Sequence, residues 1–536
     1  MTGSTRSRTR PWLAVMVFVL VSFFGLRGMA PAGAGVYYDD GVYLALAQSL
    51  SEGQGYVYAN LPLEIPGVKY PPVYPAMLAV ASRTLPAYPA NLPYLKALNA
   101  LLMGFAAMLT FLVFTRRRDG VLRLAAFGAA AALAFSSAQT LTLSTVLLSE
   151  PLFLVLAMGT LLAAGRNQAP PLVLGLGAAA VFLTRSVGVS LIGAILAAEL
   201  VRPGVWTRPG LKRAGVLAAA ALLPAVAWWF WTVVHLADVP PALTGSYGSY
   251  VAWYGADGSL LGFVFETART HWAPLVAAFE QLWMPEAAVM TANVVLFVLG
   301  SLAVVGLVRI GQRNAALALF PVMYLTVVLV WPYEPDRFYY VIIPLVTMCV
   351  VEGGAWITTR IRADLPKWGV PIVAVVAGLL LFNSVSYQVR SHRARVWTRF
   401  QMAPAATYRP LLEWIRENTA ADAVVASGLD PLVYWETGRK AVPNFQFLAA
   451  DFIASDESEQ VLADQFEELR ALSGARWVAV IQGEGKAGRT MEAFVARHPR
   501  RVRTAFESTT AAYTGVVYEV LPPGEEFPPA TPPSPQ

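Results

Sequence analysis

The chain has 536 residues, of which 56% are hydrophobic and only 14% are charged, and its mean hydropathy is +0.52. Soluble domains carry about 25% charged residues, so this composition excludes an ordinary soluble protein and indicates a helical membrane protein. The net charge of +6 does not indicate a nucleic-acid-binding protein, because the basic residues lie mostly in short connections between apolar segments. The single cysteine, Cys349, excludes an intramolecular disulfide and a cysteine-based metal site.

Apolar segments that can cross a bilayer recur from Pro11 to Tyr387 and predict about eleven transmembrane helices. The first segment also resembles a signal peptide, but we favour a retained anchor that holds the following polar loop at the membrane. Arginines before this segment place the N-terminus in the cytoplasm. Every later basic cluster then falls on the same side, provided that 171–184 and 187–200 are two separate helices.

The transmembrane domain is therefore predicted over residues 1–389, with extracytoplasmic loops at 31–93 and 236–285. In the first loop, Asp39 and Asp40 begin a short amphipathic helix that is expected to lie on the membrane surface. Aspartate is common as a helix N-cap, but adjacent residues cannot both be caps, and carboxylates are also general bases. The residue types alone leave capping and catalysis open.

A proline-rich segment from Lys69 through Tyr70 to Tyr74 ends this loop. Proline restricts the backbone, so one interpretation is a stiff connector with interfacial aromatic residues. The other is that Lys69, at headgroup depth, contacts a lipid phosphate as a point charge. Both interpretations stay open at the level of residue type.

Two charged residues lie at the outer ends of later apolar segments. Glu150 stands in the first turn of a helix, where its charge suits the helix dipole. Arg185 interrupts an apolar region on the outer side, where the inside-positive pattern does not require it. Arg185 is therefore expected to have a bound anion or an internal acidic partner.

Arg337 is the second such arginine, and it is flanked by Glu334 and Asp336. Local pairing with these acids and a ligand-binding role are both open. Together with Lys69, the two outer arginines have the charge to surround one phosphate.

The second outer loop, 236–285, contains several aromatic residues that usually anchor a protein at the membrane interface but also stack on sugar rings. They are Tyr247, Tyr250, Trp253, Tyr254, Trp272 and Trp283. The four histidines do not show zinc-ligand spacing, and the chain contains no Walker loop, Rossmann glycine motif or GxSxG motif.

Residues 390–521 have the charge density of a soluble domain. Helix-like segments at 408–418, 457–472 and 489–497 alternate with strand-like segments at 423–427, 477–482 and 515–521, which predicts a small α/β domain. Residues 522–536 form a proline-rich tail that is predicted to be disordered.

The order of these motifs resembles the polyprenyl-phosphate-sugar-dependent glycosyltransferases of the GT-C fold. This superfamily includes protein O-mannosyltransferases, lipid A aminoarabinose transferases and rhizobial lipopolysaccharide galacturonosyltransferases. The resemblance rests on Asp39-Asp40 with Tyr43, Lys69-Tyr-Pro-Pro-Val-Tyr-Pro, Ser149-Glu-Pro-Leu-Phe, Thr184-Arg-Ser, and Arg337-Phe-Tyr-Tyr with Pro344. Glu413-Trp-Ile-Arg-Glu-Asn and Tyr434-Trp-Glu-Thr-Gly-Arg-Lys resemble the extracytoplasmic domain of bacterial members.

The resemblance implies a multi-pass inner-membrane enzyme that moves a sugar from a polyprenyl-phosphate donor to an acceptor hydroxyl, with inversion at the anomeric carbon. Asp39 takes the position of the family's catalytic acidic residue and would act as the general base. Asp40 and Glu150 are further catalytic candidates. Asp40 stands where many members have glutamate, so the resemblance leaves open which aspartate acts and whether a divalent metal bridges them. The donor would be held by Lys69, Tyr70, Tyr74, Arg185, Arg337 and Tyr339.

The alternative from another functional class is a transporter or flippase for a lipid-linked or small substrate. Such a protein should keep ionisable residues near the bilayer midplane, and the sequence has few there. An outer-face sensor is a third possibility, but eleven helices exceed what anchoring needs. The sugar, the lipid chain length, the oligomeric state and the acceptor, whether lipid, glycan or protein, do not follow from fold or sequence.

Overall fold

The computed structural model describes residues 9–116, 120–165, 169–249, 260–283, 289–331, 335–361, 369–447, 457–482, 485–510 and 513–528. These residues form 20 α-helices, and the first ten are α1 Thr9–Gly28, α2 Asp39–Ser51, α3 Val73–Ser82, α4 Leu92–Thr115, α5 Val121–Phe135, α6 Ala138–Ser144, α7 Glu150–Ala164, α8 Pro171–Phe182, α9 Val189–Leu200 and α10 Arg208–His235. The others are α11 Thr244–Tyr247, α12 Leu260–Trp283, α13 Val289–Gly311, α14 Ala315–Leu329, α15 Asp336–Ile361, α16 Gly369–Ala394, α17 Val396–Asn418, α18 Asp430–Thr437, α19 Glu459–Ser473 and α20 Gly485–Arg497.

Among the described residues, five helices are long and apolar enough to cross a membrane: α1, α4, α10, α13 and α15. The pair α5 and α6, bent by 66° at their junction, makes a sixth if it is one span. Shorter apolar helices include α3, α7, α8, α9 and α14. The prediction of a polytopic helical membrane protein is confirmed, whereas the number of about eleven spans stays a prediction.

Helices α8 and α9 form a hairpin, as the charge pattern requires. Arg213 in α10 links the beginning of α8 to the end of α9, because its Nη1 donates to the Ala169 carbonyl at 2.8 Å and its Nε lies 3.1 Å from Glu199 Oε1. Arg185, in the turn between the two helices, therefore lies at the other end of the hairpin.

Several basic clusters meet at one end of the bundle. Arg10 Nη1 donates to the Arg116 carbonyl at 2.8 Å, and Arg116 Nη1 donates to the Leu162 carbonyl at 2.8 Å. The start of α1 and the ends of α4 and α7 therefore share one end, as the alternation of spans predicts. That this end faces the cytoplasm stays a prediction.

The C-terminal domain contains a mixed five-stranded sheet in the order β2-β1-β3-β5-β4. Its strands are β1 Val424–Ser427, β2 Lys440–Val442, β3 Trp477–Ile481, β4 Val502–Thr509 and β5 Thr514–Val520. The contacts of β1 with β2 and β3 are parallel, and those of β5 with β3 and β4 are antiparallel. The predicted small α/β domain is thus confirmed, although β2, β4 and α18 were not predicted.

The edges of this domain differ from the predicted boundaries. Helix α16 continues to Ala394, so the boundary predicted at 390 falls inside a helix. The first part of the predicted disordered tail contacts the sheet, since the Phe527 N–H donates to the Arg500 carbonyl at 2.8 Å and the Phe527 ring lies 4.7 Å from the Arg503 guanidinium carbon. Residues 529–536 lie outside the described part of the chain.

Helix α2 is buried rather than exposed on the membrane surface. Val42, Ala45 and Leu46 are fully buried, and α2 packs between α3 and α18 of the C-terminal domain. Trp435 Nε1 donates to the Gly41 carbonyl at 2.9 Å. A Cβ atom at Gly41 would come within 2.7 Å of Pro431 Cβ, so glycine permits this close contact. The surface-helix prediction is wrong because the C-terminal domain covers α2.

Candidate active site

A cavity of about 630 Å³ lies between the first outer loop, the beginning of α15 and the C-terminal domain. Of the residues predicted from the sequence, Asp39, Lys69, Tyr70 and Arg337 line it. The C-terminal domain contributes Gly428, Leu429, Pro443, Phe445 and Phe447 to its wall. At least three distant parts of the chain therefore build one site.

Asp39, the first residue of α2, carries a carboxylate that faces this cavity. The Tyr70 hydroxyl donates to Asp39 Oδ1 at 2.6 Å, and the Arg337 guanidinium forms a close ion pair with Oδ2. Burial raises the pKa of Asp39, but the charge of Arg337 and the hydrogen bond from Tyr70 outweigh it and hold the pKa below its usual value. Asp39 is therefore ionised at neutral pH, with its side chain still 20% exposed.

Asp40 faces the protein interior instead. It is 1% exposed, and its Oδ1 accepts a hydrogen bond from the Tyr37 N–H at 3.0 Å. Burial raises the pKa of Asp40 to about 6, although the Lys96 charge opposes this shift. Successive side chains on a helix are rotated by about 100°, so Asp39 and Asp40 point in different directions from α2. The N-cap of α2 is Tyr38, so neither aspartate is the cap.

The structure does not place Asp40 among the cavity-lining residues, and its catalytic role stays a prediction. Among the described residues, no group of three His, Cys, Asp or Glu side chains is placed to hold a metal ion. The divalent metal stays a prediction, and no chemical step is assigned to it.

Lys69 lies on the cavity wall and is 6% exposed. Its ammonium group donates to the carbonyls of Gly245 and Ser246 at 2.9 and 3.0 Å. Burial lowers the pKa of Lys69 to about 7, although the negative charge of Asp39 raises it. The Lys69 side chain therefore gains or loses its proton near neutral pH. A bound anion stabilises the protonated form.

This pKa predicts a pH dependence for the binding of a phosphodiester ligand. Above about pH 7 Lys69 is mostly neutral and must be protonated before it can pair with the anion. The affinity for the phosphodiester should therefore fall about tenfold for each pH unit. A Lys69→Arg variant stays charged and should show a flatter profile when affinity is measured by titration across this range. A Lys69→Gln variant should bind weakly at every pH, whereas parallel profiles for the wild type and Lys69→Arg would exclude Lys69 as the titrating group.

Glu150 and Arg185 form a buried pair behind the cavity wall. Arg185 Nη1 lies 2.7 Å from Glu150 Oε1 and donates to Ser149 Oγ at 3.0 Å, while Arg337 Nε lies 3.9 Å from Glu150 Oε1. Glu150 is fully buried and Arg185 is 7% exposed, and neither lines the cavity. Of the two alternatives for Arg185, the structure shows the internal acidic partner. Of the two, Glu150 lies next to Arg337, and the predicted roles of Glu150 in catalysis and of Arg185 in substrate binding stay predictions.

Tyr74 and Tyr339 are also absent from the cavity wall, and their substrate-binding roles stay predictions. The Tyr74 hydroxyl donates to Asn99 Oδ1 at 3.1 Å, and the Tyr339 hydroxyl donates to the His271 carbonyl at 2.8 Å. Both side chains are fully buried within the bundle. Tyr340, the next residue along α15, lines the cavity instead.

The local pairing proposed for Arg337 is not the pairing that the structure shows. Arg337 binds Asp39, and no ion pair with Asp336 occurs among the described residues; Glu334 lies outside them. Asp336, which is exposed, also lines the cavity, and so do the buried aromatic residues Trp331 and Phe338. The sequence analysis missed these contributions, although their proximity to Arg337 in the chain was a usable signal.

The predicted loop 236–285 is partly helical, because it contains α12. Tyr247 is fully buried, and its hydroxyl donates to Asp430 of the C-terminal domain and accepts from Asn60 Nδ2 at 2.7 Å. Tyr247 therefore joins two domains and is neither an interfacial anchor nor a sugar platform. Trp272 is 61% exposed, as an anchor requires, and Trp283 is half-buried. Tyr250, Trp253 and Tyr254 lie outside the described residues.

The Asp430 junction predicts a second pH effect. Burial raises the pKa of Asp430 to about 8, although hydrogen bonds from Tyr247, Tyr38 and Asn60 lower it. Between about pH 4 and pH 8 the folded protein holds a proton that the unfolded chain has lost, so stability should fall as pH rises through this window. Asp430→Asn is neutral at every pH and should reduce this slope in thermal unfolding. Equal slopes for both proteins would contradict the prediction.

No protein-family model and no curated protein matches the chain. The solved structure of ArnT from Cupriavidus metallidurans bound to undecaprenyl phosphate is similar, with a TM-score of 0.52 and 15% identity over 95% of this chain and 98% of ArnT. The chain has the fold of ArnT. The apo structure of ArnT gives a TM-score of 0.55 at 15% identity, over 96% of this chain and 98% of ArnT. The likeness is one of fold, and it extends across both the helices and the C-terminal domain.

Proposed function

We propose that the protein is a membrane glycosyltransferase that moves a sugar from a polyprenyl-phosphate donor to an acceptor hydroxyl. The observation that carries this proposal is the cavity in which Asp39 lies beside Arg337, with Lys69 on the same wall, in a chain with the fold of ArnT. ArnT has been solved with undecaprenyl phosphate, a lipid phosphate of the class that the two cations would bind.

Lys69 and Arg337 stabilise the leaving phosphate. When the bond from the anomeric carbon to the phosphate oxygen breaks, its electron pair goes to that oxygen and the polyprenyl phosphate leaves as an anion. Cations fixed beside the phosphate stabilise this negative charge, so the leaving group does not need a proton donor. Glu150 and Arg185, packed behind Arg337, hold the guanidinium in place.

Asp39 acts as the general base. Its carboxylate takes the proton of the acceptor hydroxyl while the hydroxyl oxygen forms its bond to the anomeric carbon. The pKa of Asp39 is low, so proton transfer occurs late, when the attacking oxygen has become acidic. Tyr70 and Arg337 orient the carboxylate. One displacement of this kind inverts the anomeric configuration.

The proposed location is the inner membrane, with the N-terminus in the cytoplasm and the C-terminal domain outside. The basic end of the bundle, where Arg10 and Arg116 lie, supports this orientation. Donor and acceptor would then meet on the extracytoplasmic side, where the chain needs no nucleotide-binding motif.

The test is to incubate the purified protein with a panel of polyprenyl-phosphate sugars and follow each donor by mass spectrometry. We expect one donor to be consumed and free polyprenyl phosphate to appear when the acceptor is present. If no donor is consumed or bound, the glycosyltransferase proposal fails. If liposomes containing the protein translocate an intact lipid-linked sugar, the transporter alternative is supported instead.

A further inference from the structure

A second crevice, of about 550 Å³, lies between α1, α5, α16 and the beginning of α17. It shares no lining residue with the candidate active site. Its apolar wall is formed by side chains on three helices: Leu20, Phe24, Ala129, Leu133, Val385 and Val389. Leu20, Val385 and Val389 are each more than 40% exposed, so the apolar wall opens to the surroundings of the bundle.

Three arginines line the polar end of this crevice: Arg27, Arg393 and Arg395. All three are exposed, and none forms an ion pair with another described residue. Trp397 donates to the Gly28 carbonyl at 3.0 Å, and Lys96 donates to the Ala30 carbonyl at 2.9 Å, which places this end of α1 near the outer loop that carries Asp39. The inside-positive pattern does not account for arginines at this end.

Helix dipoles account for only part of this cluster. Arg27 and Arg393 lie in the last turns of α1 and α16, where the helix dipole favours a cation. Arg395 lies between α16 and α17 with φ 46°, a left-handed conformation that is unfavourable for a residue with a side chain. Glycine would adopt this backbone conformation more easily. The presence of arginine therefore indicates that its positive charge has a function here.

Gln388 provides independent evidence for a ligand, because part of its side-chain amide is buried without a hydrogen-bond partner. It is 5% exposed and lines the crevice, and its Oε1 accepts a hydrogen bond from the Ala138 N–H at 2.9 Å. Its Nε2 is buried and has no partner. A buried donor without an acceptor destabilises the protein, so an acceptor oxygen in the crevice would be favourable.

We propose that this crevice binds an anionic phospholipid. The phosphate lies against Arg27, Arg393 and Arg395, an ester carbonyl accepts from Gln388 Nε2, and an acyl chain follows the apolar wall. Charge complementarity selects this ligand, because three arginines favour an anionic headgroup over a zwitterionic one. The continuous apolar wall selects a lipid over a free phosphate.

The test uses native mass spectrometry of the full-length protein in detergent with added phosphatidylglycerol or phosphatidylcholine. We expect phosphatidylglycerol to bind the wild type and the triple variant Arg27→Gln/Arg393→Gln/Arg395→Gln to bind it at least about tenfold more weakly. Ala129→Phe keeps the arginines but places a larger side chain in the apolar part of the crevice. It should also weaken phosphatidylglycerol binding. Thermal unfolding of each variant verifies that it is folded.

The matched control removes three exposed arginines elsewhere, as Arg83→Gln/Arg497→Gln/Arg500→Gln, and should bind phosphatidylglycerol like the wild type. Lys69→Gln should also leave this binding unchanged. Equal binding of both phospholipids by the wild type, or equal loss in the two triple variants, would overturn the proposal. Loss of the bound lipid in Lys69→Gln would place it in the Asp39 cavity and would also overturn it.

Discussion

Replacing Asp39 with asparagine is expected to lower the rate constant for sugar transfer by about 10²–10⁴-fold, the usual contribution of a general base. The asparagine amide cannot accept the proton of the acceptor hydroxyl, although it keeps the size of the carboxylate. The measurement is the rate of donor consumption at saturating donor and acceptor, followed by mass spectrometry. Donor affinity should change less than the rate, because Lys69 and Arg337 remain.

The matched control is Asp40→Asn, which changes the neighbouring carboxylate. Asp40 faces the interior and its pKa is raised to about 6, so a neutral amide replaces it at modest cost and should keep most of the activity. The reverse result, with activity lost in Asp40→Asn and kept in Asp39→Asn, would exclude Asp39 as the base. Equal thermal unfolding of the two variants is needed for the comparison.

The second large effect is expected for Glu150→Gln, which should destabilise the folded protein by about 3–5 kcal/mol. The change leaves the Arg185 guanidinium, 7% exposed, without its counter-charge in the interior. Unfolding by denaturant in detergent measures this loss. The double variant Glu150→Gln/Arg185→Met removes both charges and should recover a large part of the stability.

Other results of the Glu150→Gln measurements would assign a different role to Glu150. If Glu150→Gln unfolds like the wild type but loses all sugar transfer, Glu150 contributes to catalysis directly, as the sequence analysis predicted. If it loses stability and the double variant does not recover it, the ion pair is not the source of the effect. Both results are separable by measuring unfolding and activity on the same preparation.

The sequence predicted the elements that depend on local patterns. The separate helices at 171–184 and 187–200 followed from Arg185 and the charge alternation, and the α/β character of the C-terminal domain followed from its periodic segments. Strand β4, Val502–Thr509, was missed because its exposed positions carry no regular alternation of buried and exposed residues. Strand β2 has three residues, too few for a pattern.

The site was predicted in part, because sequence order indicates which residues share an end of the bundle but not where their side chains point. Tyr70 lies before α3 and reaches Asp39, whereas Tyr74, the second residue of α3, turns toward Asn99. Tyr339 and Tyr340 are adjacent, and only Tyr340 reaches the cavity.

The pairing of Asp39 with Arg337 joins residues 298 positions apart, and no local pattern predicts it. The same holds for Phe445 and Phe447, which reach the cavity from the C-terminal domain. Such contacts depend on how distant segments pack, so only the structure reveals them.

The most direct test of the proposed site is to label the wild-type protein with a photoreactive polyprenyl-phosphate analogue and map the modified residues by mass spectrometry. We expect the label on cavity-wall residues such as Tyr340, Phe445 or Phe447, and we expect unlabelled donor to prevent it. A label confined to the crevice lined by Leu133 and Gln388, with the cavity wall unmodified, would contradict the assignment of the donor site to Asp39, Lys69 and Arg337.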